Sequence, residues 1–200
     1  MLSRTAIVER STNETEIFLS LDLDGSGKAV VQTGIPFFDH MLCLFARHGL
    51  MDLEVNARGD REVDFHHTVE DVGICLGRAL EKALGDKKGI RRYGFALMPM
   101  DEALAQVAID LSGRPFFALR TPNLPPLSLL YAGTFPAQLL EEFFRAFSMH
   151  GMLTLHLEIR AARDTHHLLE ASFKGVARAL AASVEKDERV SEVPSTKGVL

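Results

Sequence analysis

The sequence predicts a mixed fold of strands and helices in which one structural unit is laid down twice. Three observations carry this. Phe65-His66-His67-Thr68-Val69-Glu70-Asp71 returns one hundred positions later as Thr165-His166-His167-Leu168-Leu169-Glu170-Ala171. Around these blocks, His48-Gly49-Leu50 matches His150-Gly151-Met152, and Arg78-Ala79-Leu80 matches Arg178-Ala179-Leu180. Each half also runs in the same order: three short strands, a helix, a strand, and a helix headed by the His-His block. All eight histidines fall inside the duplicated segment, four per half.

Arg4 to Arg10 and Thr15 to Asp22 are short, alternating and rich in Ile, Val, Phe and Leu, the signature of strands. Asp24-Gly25-Ser26-Gly27 reads as a hairpin turn into a third strand, Lys28 to Thr33. Gly25-Ser26-Gly27-Lys28 lacks P-loop spacing and precedes no helix, so it is not a phosphate loop. Pro36 suits a helix start; Phe37, Met41, Leu44 and Phe45 follow at helical spacing until Gly49, a C-terminal cap. Met51 to Ala57 is a strand. The first His-His block then opens a helix burying Val69, Val72, Cys75, Leu76, Ala79, Leu80 and Leu84, which Gly85 and Gly89 end.

In the second half Phe95 to Met100, Ala103 to Leu111 and Phe116 to Arg120 are strands, with Ser112-Gly113-Arg114-Pro115 as a turn. A Pro-rich connection from Thr121 to Phe135 leads to a helix over Pro136 to Met149, a strand over Leu153 to Ile159, and a helix from the second His-His block to about Glu185. The aperiodic tail, Val190 to Leu200, is expected to form a mobile lid. The chain is expected to be a single catalytic domain over 1–200, made of two pseudo-symmetric repeats of about 1–92 and 93–200.

A hydrophobic content of 46% with 24% charged residues is that of an ordinary globular domain and excludes disorder. A net charge of -5 leaves no footprint for nucleic acid or an anionic membrane, although a local basic pocket for a small anion remains compatible with it. Met1 to Arg10 contains no apolar leader, and no run is long and apolar enough to span a bilayer, so a cytoplasmic location is expected. Cys43 and Cys75 lie in apolar helical patterns without CxxC spacing and read as buried free thiols. Any metal must therefore use His and carboxylate.

At the head of a helix, a His-His-x-x-Glu block places the glutamate over both histidines, one N,N,O cluster per block. Adjacent helical residues diverge by about 100 degrees, so each pair suits two different cations better than one. Eight residues before each His-Gly stand His40 in the first half and Glu142 in the second. The combined set, His40, His66, His67, Glu70, Glu142, His166, His167 and Glu170, contains no sulfur and suits octahedral Mn(II), with Fe(II), Zn(II) and Ni(II) as alternatives. There is no HExxH, which removes the zincin reading. His48, His150 and His156 suit either buried structural positions or direct roles.

Longer motifs in a fixed order then carry a resemblance: Gly34-Ile35-Pro36-Phe37-Phe38-Asp39-His40-Met41-Leu42, Asp64 to Asp71, Arg92-Tyr93-Gly94, Asp101-Glu102-Ala103, Asp110-Leu111-Ser112-Gly113-Arg114-Pro115, the second His-His block, and Pro194-Ser195-Thr196-Lys197-Gly198-Val199-Leu200. From about Arg4 to the end, the chain resembles the imidazoleglycerol-phosphate dehydratase family. The resemblance implies an α+β fold, internally duplicated in ribosomal protein S5 domain 2-like halves, with helices sandwiched between two four-stranded sheets. It implies dehydration of imidazole glycerol phosphate to imidazole acetol phosphate in histidine biosynthesis. It also implies two Mn(II) ions per active site and a homo-oligomer of about 24 subunits with sites between them.

Carried over residue by residue, the resemblance makes His40, His66, His67, Glu70, His166, His167 and Glu170 metal ligands. Many members have His where this chain has Glu142; a carboxylate is an acceptable Mn ligand, so the site is expected to survive the exchange. The family pattern assigns substrate contacts to Glu14, His40, His48, Arg92, Arg114, Ser195, Thr196 and Lys197. On their own, Arg92 and Arg114 would read as surface charges and Glu14 as an exposed strand residue. As cations, Arg92, Arg114 and Lys197 suit a phosphate dianion. Glu14 and Glu170 are the acid/base candidates. The rival readings are a metal-dependent hydrolase using the same ligands and a metal-storage oligomer, which would have no need of the basic residues.

Overall fold

The computed structural model describes residues 4–198 and 200. The start of the segment read as lacking a leader, and Val199 of the tail motif, lie outside the described residues. Strands β1 (Thr5–Ser11), β2 (Thr15–Asp22) and β3 (Ala29–Gln32) precede helix α1 (Pro36–Gly49), strand β4 (Asp52–Gly59) and helix α2 (His66–Leu84). Strands β5 (Tyr93–Met100), β6 (Ala103–Asp110) and β7 (Phe116–Arg120) follow. A short 3-10 turn (Leu127–Leu129) and the two-residue strands β8 (Tyr131–Ala132) and β9 (Phe135–Pro136) lead to α3 (Leu139–His150), β10 (Thr154–Ala161) and α4 (Thr165–Val184).

Each repeat builds the same four-stranded sheet. The orders are β1-β2-β4-β3 and β5-β6-β10-β7, with antiparallel pairs except for β3 with β4 and β7 with β10, which run parallel. The alternation in β2 turns Thr15, Ile17, Leu19 and Leu21 inward, and β4 adds Leu53, Val55 and Ala57 on the same face. Ala103, Ala105, Val107 and Ile109 of β6 meet Leu155, Leu157 and Ile159 of β10 in the same way.

The helices occupy the space between the sheets. α2 lies on β1 and β2, α4 lies on β5 and β6, and the repeats are joined crosswise, α1 against α4 and α2 against α3. Aromatic residues fill the centre: Phe143 stacks on Phe173 at 5.2 Å between ring centroids, and Phe38 meets Phe143 edge-on at 5.4 Å. Where α2 crosses α3, Gly73 and Gly77 let the backbones approach. A Cβ at Gly77 would stand 2.6 Å from the Phe147 carbonyl oxygen.

Four local expectations change. Asp24 to Gly27 is not a hairpin turn, because β3 pairs with β4 and not with β2; Asp52 Oδ1 organises this crossover by accepting the N–H groups of Ser26 and Lys28. The helix expected from Pro136 begins at Leu139, since Phe135–Pro136 pairs with Tyr131–Ala132. The buried stripe of α1 is Phe38, Met41, Leu42 and Phe45, with Phe37 and Leu44 at its edge. Gly49 belongs to that helix, and Leu50 takes the left-handed conformation beyond it at φ 55°.

Cys75 is buried, and burial pushes its thiol up to about 11, whereas Cys43 is only half-buried. The outer face of the second sheet exposes Tyr93, Phe95, Leu97 and Phe116. His156 stands on that same face beside Phe116, so it is not a core histidine.

Candidate metal centre and active site

Both His-His blocks head a helix, and an aspartate fixes each start. Asp64 Oδ1 accepts the backbone N–H of His66 at 2.7 Å; Asp164 Oδ1 accepts those of His166 at 2.7 Å and His167 at 3.2 Å. The crosswise packing of α1 on α4 then brings His40 to the second block. Ligand atoms of His40, His166 and Glu170 lie within 4.8 Å of one another, the one such three-residue group among the described residues. His40 and His166 border a cleft of about 760 Å³ that is also lined by Pro36, Phe37, Phe135 and Thr165.

Glu170 is the buried member, with a side chain 8% exposed. Its Oε2 lies 3.0 Å from His166 Nε2 and 3.8 Å from His40 Nε2; its Oε1 accepts from Lys174 Nζ at 2.5 Å. Burial works to raise the carboxyl, but the Lys174 hydrogen bond and charge, with His166, outweigh it and hold Glu170 below the usual range. Lys174 was missed in the sequence, although its position one turn after Glu170 was available as a signal.

The glutamates do not cover both histidines of a block. Glu70 Oε2 faces His66 Nε2 at 3.6 Å, and Glu170 faces His166, while the second histidine of each block turns away. The paired rings stand nearly perpendicular, at 85° for His66 and His67 and 77° for His166 and His167. His67 Nδ1 meets Asp60 at 3.0 Å and its Nε2 lies 3.9 Å from Glu14 Oε1; His167 Nδ1 meets Glu102 at 2.9 Å. Donating a hydrogen bond to Asp60 raises His67, and donating one to Glu102 raises His167. The Asp164 backbone N–H, followed by His167, holds Glu102 at about 2. Asp60 and Glu102 act across loops and left no spacing signal in the sequence.

Packing of α3 on α2 should bring Glu142 to the first block as His40 comes to the second. Glu142 does share a cavity with His66, but its Oε2 accepts from Arg145 Nη1 at 3.1 Å, and the group does not close to the spacing seen at His40. His48, two turns along α1 from His40, is half-buried. Burial, then the charges of Lys174 and Arg178, lower it.

The predicted phosphate residues gather elsewhere. Arg92 binds Asp110 through Nε at 2.6 Å and Nη2 at 3.1 Å, and donates through Nη1 to the Pro194 carbonyl at 2.8 Å. Arg114 Nη2 lies 3.8 Å from the same Asp110. The tail lies beside these residues: Pro194 accepts from Arg92, Leu200 lies against Gly113, and within the tail Ser195 Oγ accepts the Lys197 N–H at 3.2 Å. Thr196 and Lys197 are exposed beside them. The Arg92 N–H donates to the Ser183 carbonyl, near the far end of α4 from Glu170. Ser183 stands thirteen positions after Glu170 along the helix, roughly 20 Å at 1.5 Å per residue.

The model of the family described as "Imidazoleglycerol-phosphate dehydratase" matches residues 33–180. The protein of that name from Desulforamulus reducens is 54% identical over 200 residues, covering 100% of both chains, and that from Syntrophobacter fumaroxidans is 55% identical over 197 residues, covering 98% of both. The crystal structure of the Staphylococcus aureus imidazoleglycerol-phosphate dehydratase superposes with a TM-score of 0.80 at 36% identity, covering 92% of this chain and 99% of that one. The Pyrococcus furiosus structure, in complex with (S)-C348, gives 0.81 at 34%, covering 96% and 100%. The duplicated α+β architecture, the paired His-His-x-x-Glu blocks and these full-length likenesses agree: the chain belongs to the imidazoleglycerol-phosphate dehydratases, hydro-lyases of histidine biosynthesis.

Proposed function

We propose that the chain dehydrates D-erythro-1-(imidazol-4-yl)glycerol 3-phosphate to 3-(imidazol-4-yl)-2-oxopropyl phosphate with two Mn(II) ions per active site, in the cytoplasm, and that each site is completed between copies in a homo-oligomer of about 24 subunits. The observation that carries the shared site is the separation along α4. The Arg92 backbone is held at the Ser183 end of α4, roughly 20 Å from Glu170, and Asp110 and Pro194 tie Arg114 and the tail to Arg92, a span too long for one small phosphorylated imidazole to bridge within a single chain. The exposed Tyr93, Phe95, Leu97 and Phe116 are an apolar face of the kind that neighbouring copies cover. Among the described residues, no helix is long and apolar enough to cross a membrane.

The donor set fits Mn(II): His40, His166 and Glu170 offer nitrogen and oxygen within 4.8 Å, and no cysteine belongs to the group. His66, His67, Glu70, His167 and Glu142 are the remaining donors. Manganese would act there as a Lewis acid on the imidazole ring and as a template for it.

The C2 proton of the substrate is not adjacent to a carbonyl, so the ring first gives up its N–H proton and pushes electrons toward C3 as the hydroxyl departs. That leaves an electron-poor ring able to take up the C2–H bonding pair and regain its proton. Loss of the C2 proton then gives an enol, which tautomerises to the ketone; the sum is removal of one water. Glu14 suits the proton transfers better than Glu170. Glu14 is exposed, with Oε1 3.9 Å from His67 Nε2, whereas both oxygens of Glu170 are engaged by Lys174 and His166. At the other end of the substrate Arg92, Arg114 and Lys197 hold the phosphate with charge-assisted hydrogen bonds, supported by the tail's hydroxyls.

The test is turnover of imidazole glycerol phosphate with added Mn(II), run beside generic phosphate esters. Ketone formation from the first substrate alone supports the proposal. Phosphate release would indicate a hydrolase, and metal uptake without turnover a storage protein.

A further inference from the structure

His67 and His167 hold the same place in the two blocks, and each presents Nδ1 to a carboxylate, yet the two carboxylates come from different places. Glu102 immediately precedes β6, and the residue immediately preceding β2, its counterpart, is Glu14. Asp60 immediately follows β4, and the residue following β10, its counterpart, is Ala162, which has no group to offer. The repeats therefore meet one requirement from two sides.

Each carboxylate is braced. Glu102 Oε1 accepts the N–H groups of Arg163 at 3.2 Å and Asp164 at 2.8 Å, leaving Oε2 for His167. The Asp60 backbone N–H donates to the Glu14 carbonyl at 3.1 Å, so the loop carrying Asp60 is tied to the turn carrying Glu14. Because Asp60 occupies Nδ1 of His67, Glu14 is left on the other edge of the ring, 3.9 Å from Nε2.

A carboxylate only accepts, so its partner Nδ1 must carry the ring proton. The Nε2 lone pair is then the free donor, the ring is fixed in rotation, and its basicity rises. We propose that Asp60 and Glu102 are positioning residues that orient His67 and His167 to bind a cation through Nε2. In the first repeat, Asp60 taking this task releases Glu14 to face the substrate. The inference rests on the Mn(II) reading above.

The test measures Mn(II) binding to the purified oligomer by electron paramagnetic resonance and calorimetry, for wild type, Asp60→Asn, Glu102→Gln and Glu14→Gln. Both amide substitutions keep the side-chain volume, and Glu102→Gln can still accept from Arg163 and Asp164. Asp60→Asn and Glu102→Gln are expected to weaken binding of one class of ion about 10- to 100-fold. The loss of Mn(II) affinity should persist at a temperature well below the melting of each metal-free variant and exceed any fall in that melting temperature, which a merely structural role would not predict. Glu14→Gln should bind Mn(II) as wild type does. Wild-type affinity in Asp60→Asn and Glu102→Gln, or equal losses in Glu14→Gln and Asp60→Asn, would overturn the proposal. Failure of wild type itself to bind Mn(II) would instead refute the metal reading beneath it.

Discussion

If the metal ligands and phosphate residues that serve one substrate come from different copies, two inactive variants should restore each other. His40→Ala removes a donor from the His40-His166-Glu170 group, and Lys197→Ala removes a cation from the other end of α4; both side chains are exposed, so neither change should disturb the core. Loss of a charge-assisted hydrogen bond to phosphate is worth about 1.5–3 kcal/mol, roughly one to two orders of magnitude in kcat/KM, and loss of a ligand costs at least as much. Equal amounts of the two variants are dissociated by chelation, mixed and reassembled with Mn(II). A site is intact only when its metal half comes from the Lys197→Ala copy and its phosphate half from the His40→Ala copy. Random mixing therefore makes about a quarter of sites whole, for a closed symmetric assembly with one junction per site. Dehydration is followed by ketone formation, with native mass spectrometry confirming that the copies have mixed. Mixed particles no more active than the average of the two separate variants would refute the reasoning and return the whole site to one chain.

Gly77→Ala should destabilise the fold by about 1–3 kcal/mol, because the new Cβ meets the Phe147 carbonyl and the Gly151 nitrogen, backbone atoms that cannot step aside. That cost exceeds the roughly 1 kcal/mol gained in helix propensity; a urea midpoint at or above wild type would contradict it. A pH effect follows from His48 and His150, both lowered by burial and then by nearby cations, Lys174 and Arg178 for the first and Arg78 and Arg10 for the second. A histidine whose folded value is depressed stabilises fully above its unfolded value, about 6.5, and that contribution is lost as pH falls through the folded value. Melting of the metal-free protein from pH 8 to 5 should therefore fall more steeply in wild type than in His150→Gln. Identical slopes would exclude the contribution.

Much of the architecture was legible because it is local and periodic. The stripe of Val69, Val72, Leu76, Ala79 and Leu80 is a helical face wherever it docks, and the alternation in Thr15 to Asp22 defines a sheet face without knowledge of its partner. What failed was long-range. Glycine-rich chemistry at Asp24 to Gly27 specifies a turn, but not whether the strand after it returns beside its predecessor or crosses to β4. The head of each helix was legible, but the direction of each ring was not. The turn of His167 toward Glu102 depends on a residue 65 positions away, and that of His67 on a loop aspartate without periodicity. Lys174 lay within reach of a one-turn spacing rule. The distance between Arg92 and Glu170 could be read only after α4 was seen to run between them.

The crosswise union of α1 with α4 and of α2 with α3 has a consequence for ancestry. His40 belongs to one repeat and His166 and Glu170 to the other, so neither repeat alone holds that trio. A free-standing single repeat would gather it only by pairing with a second copy, at a population set by concentration. Fusion makes the encounter permanent and removes the demand that the two copies stay identical. His40 against Glu142 and Asp60 against Ala162 are positions at which the two repeats differ.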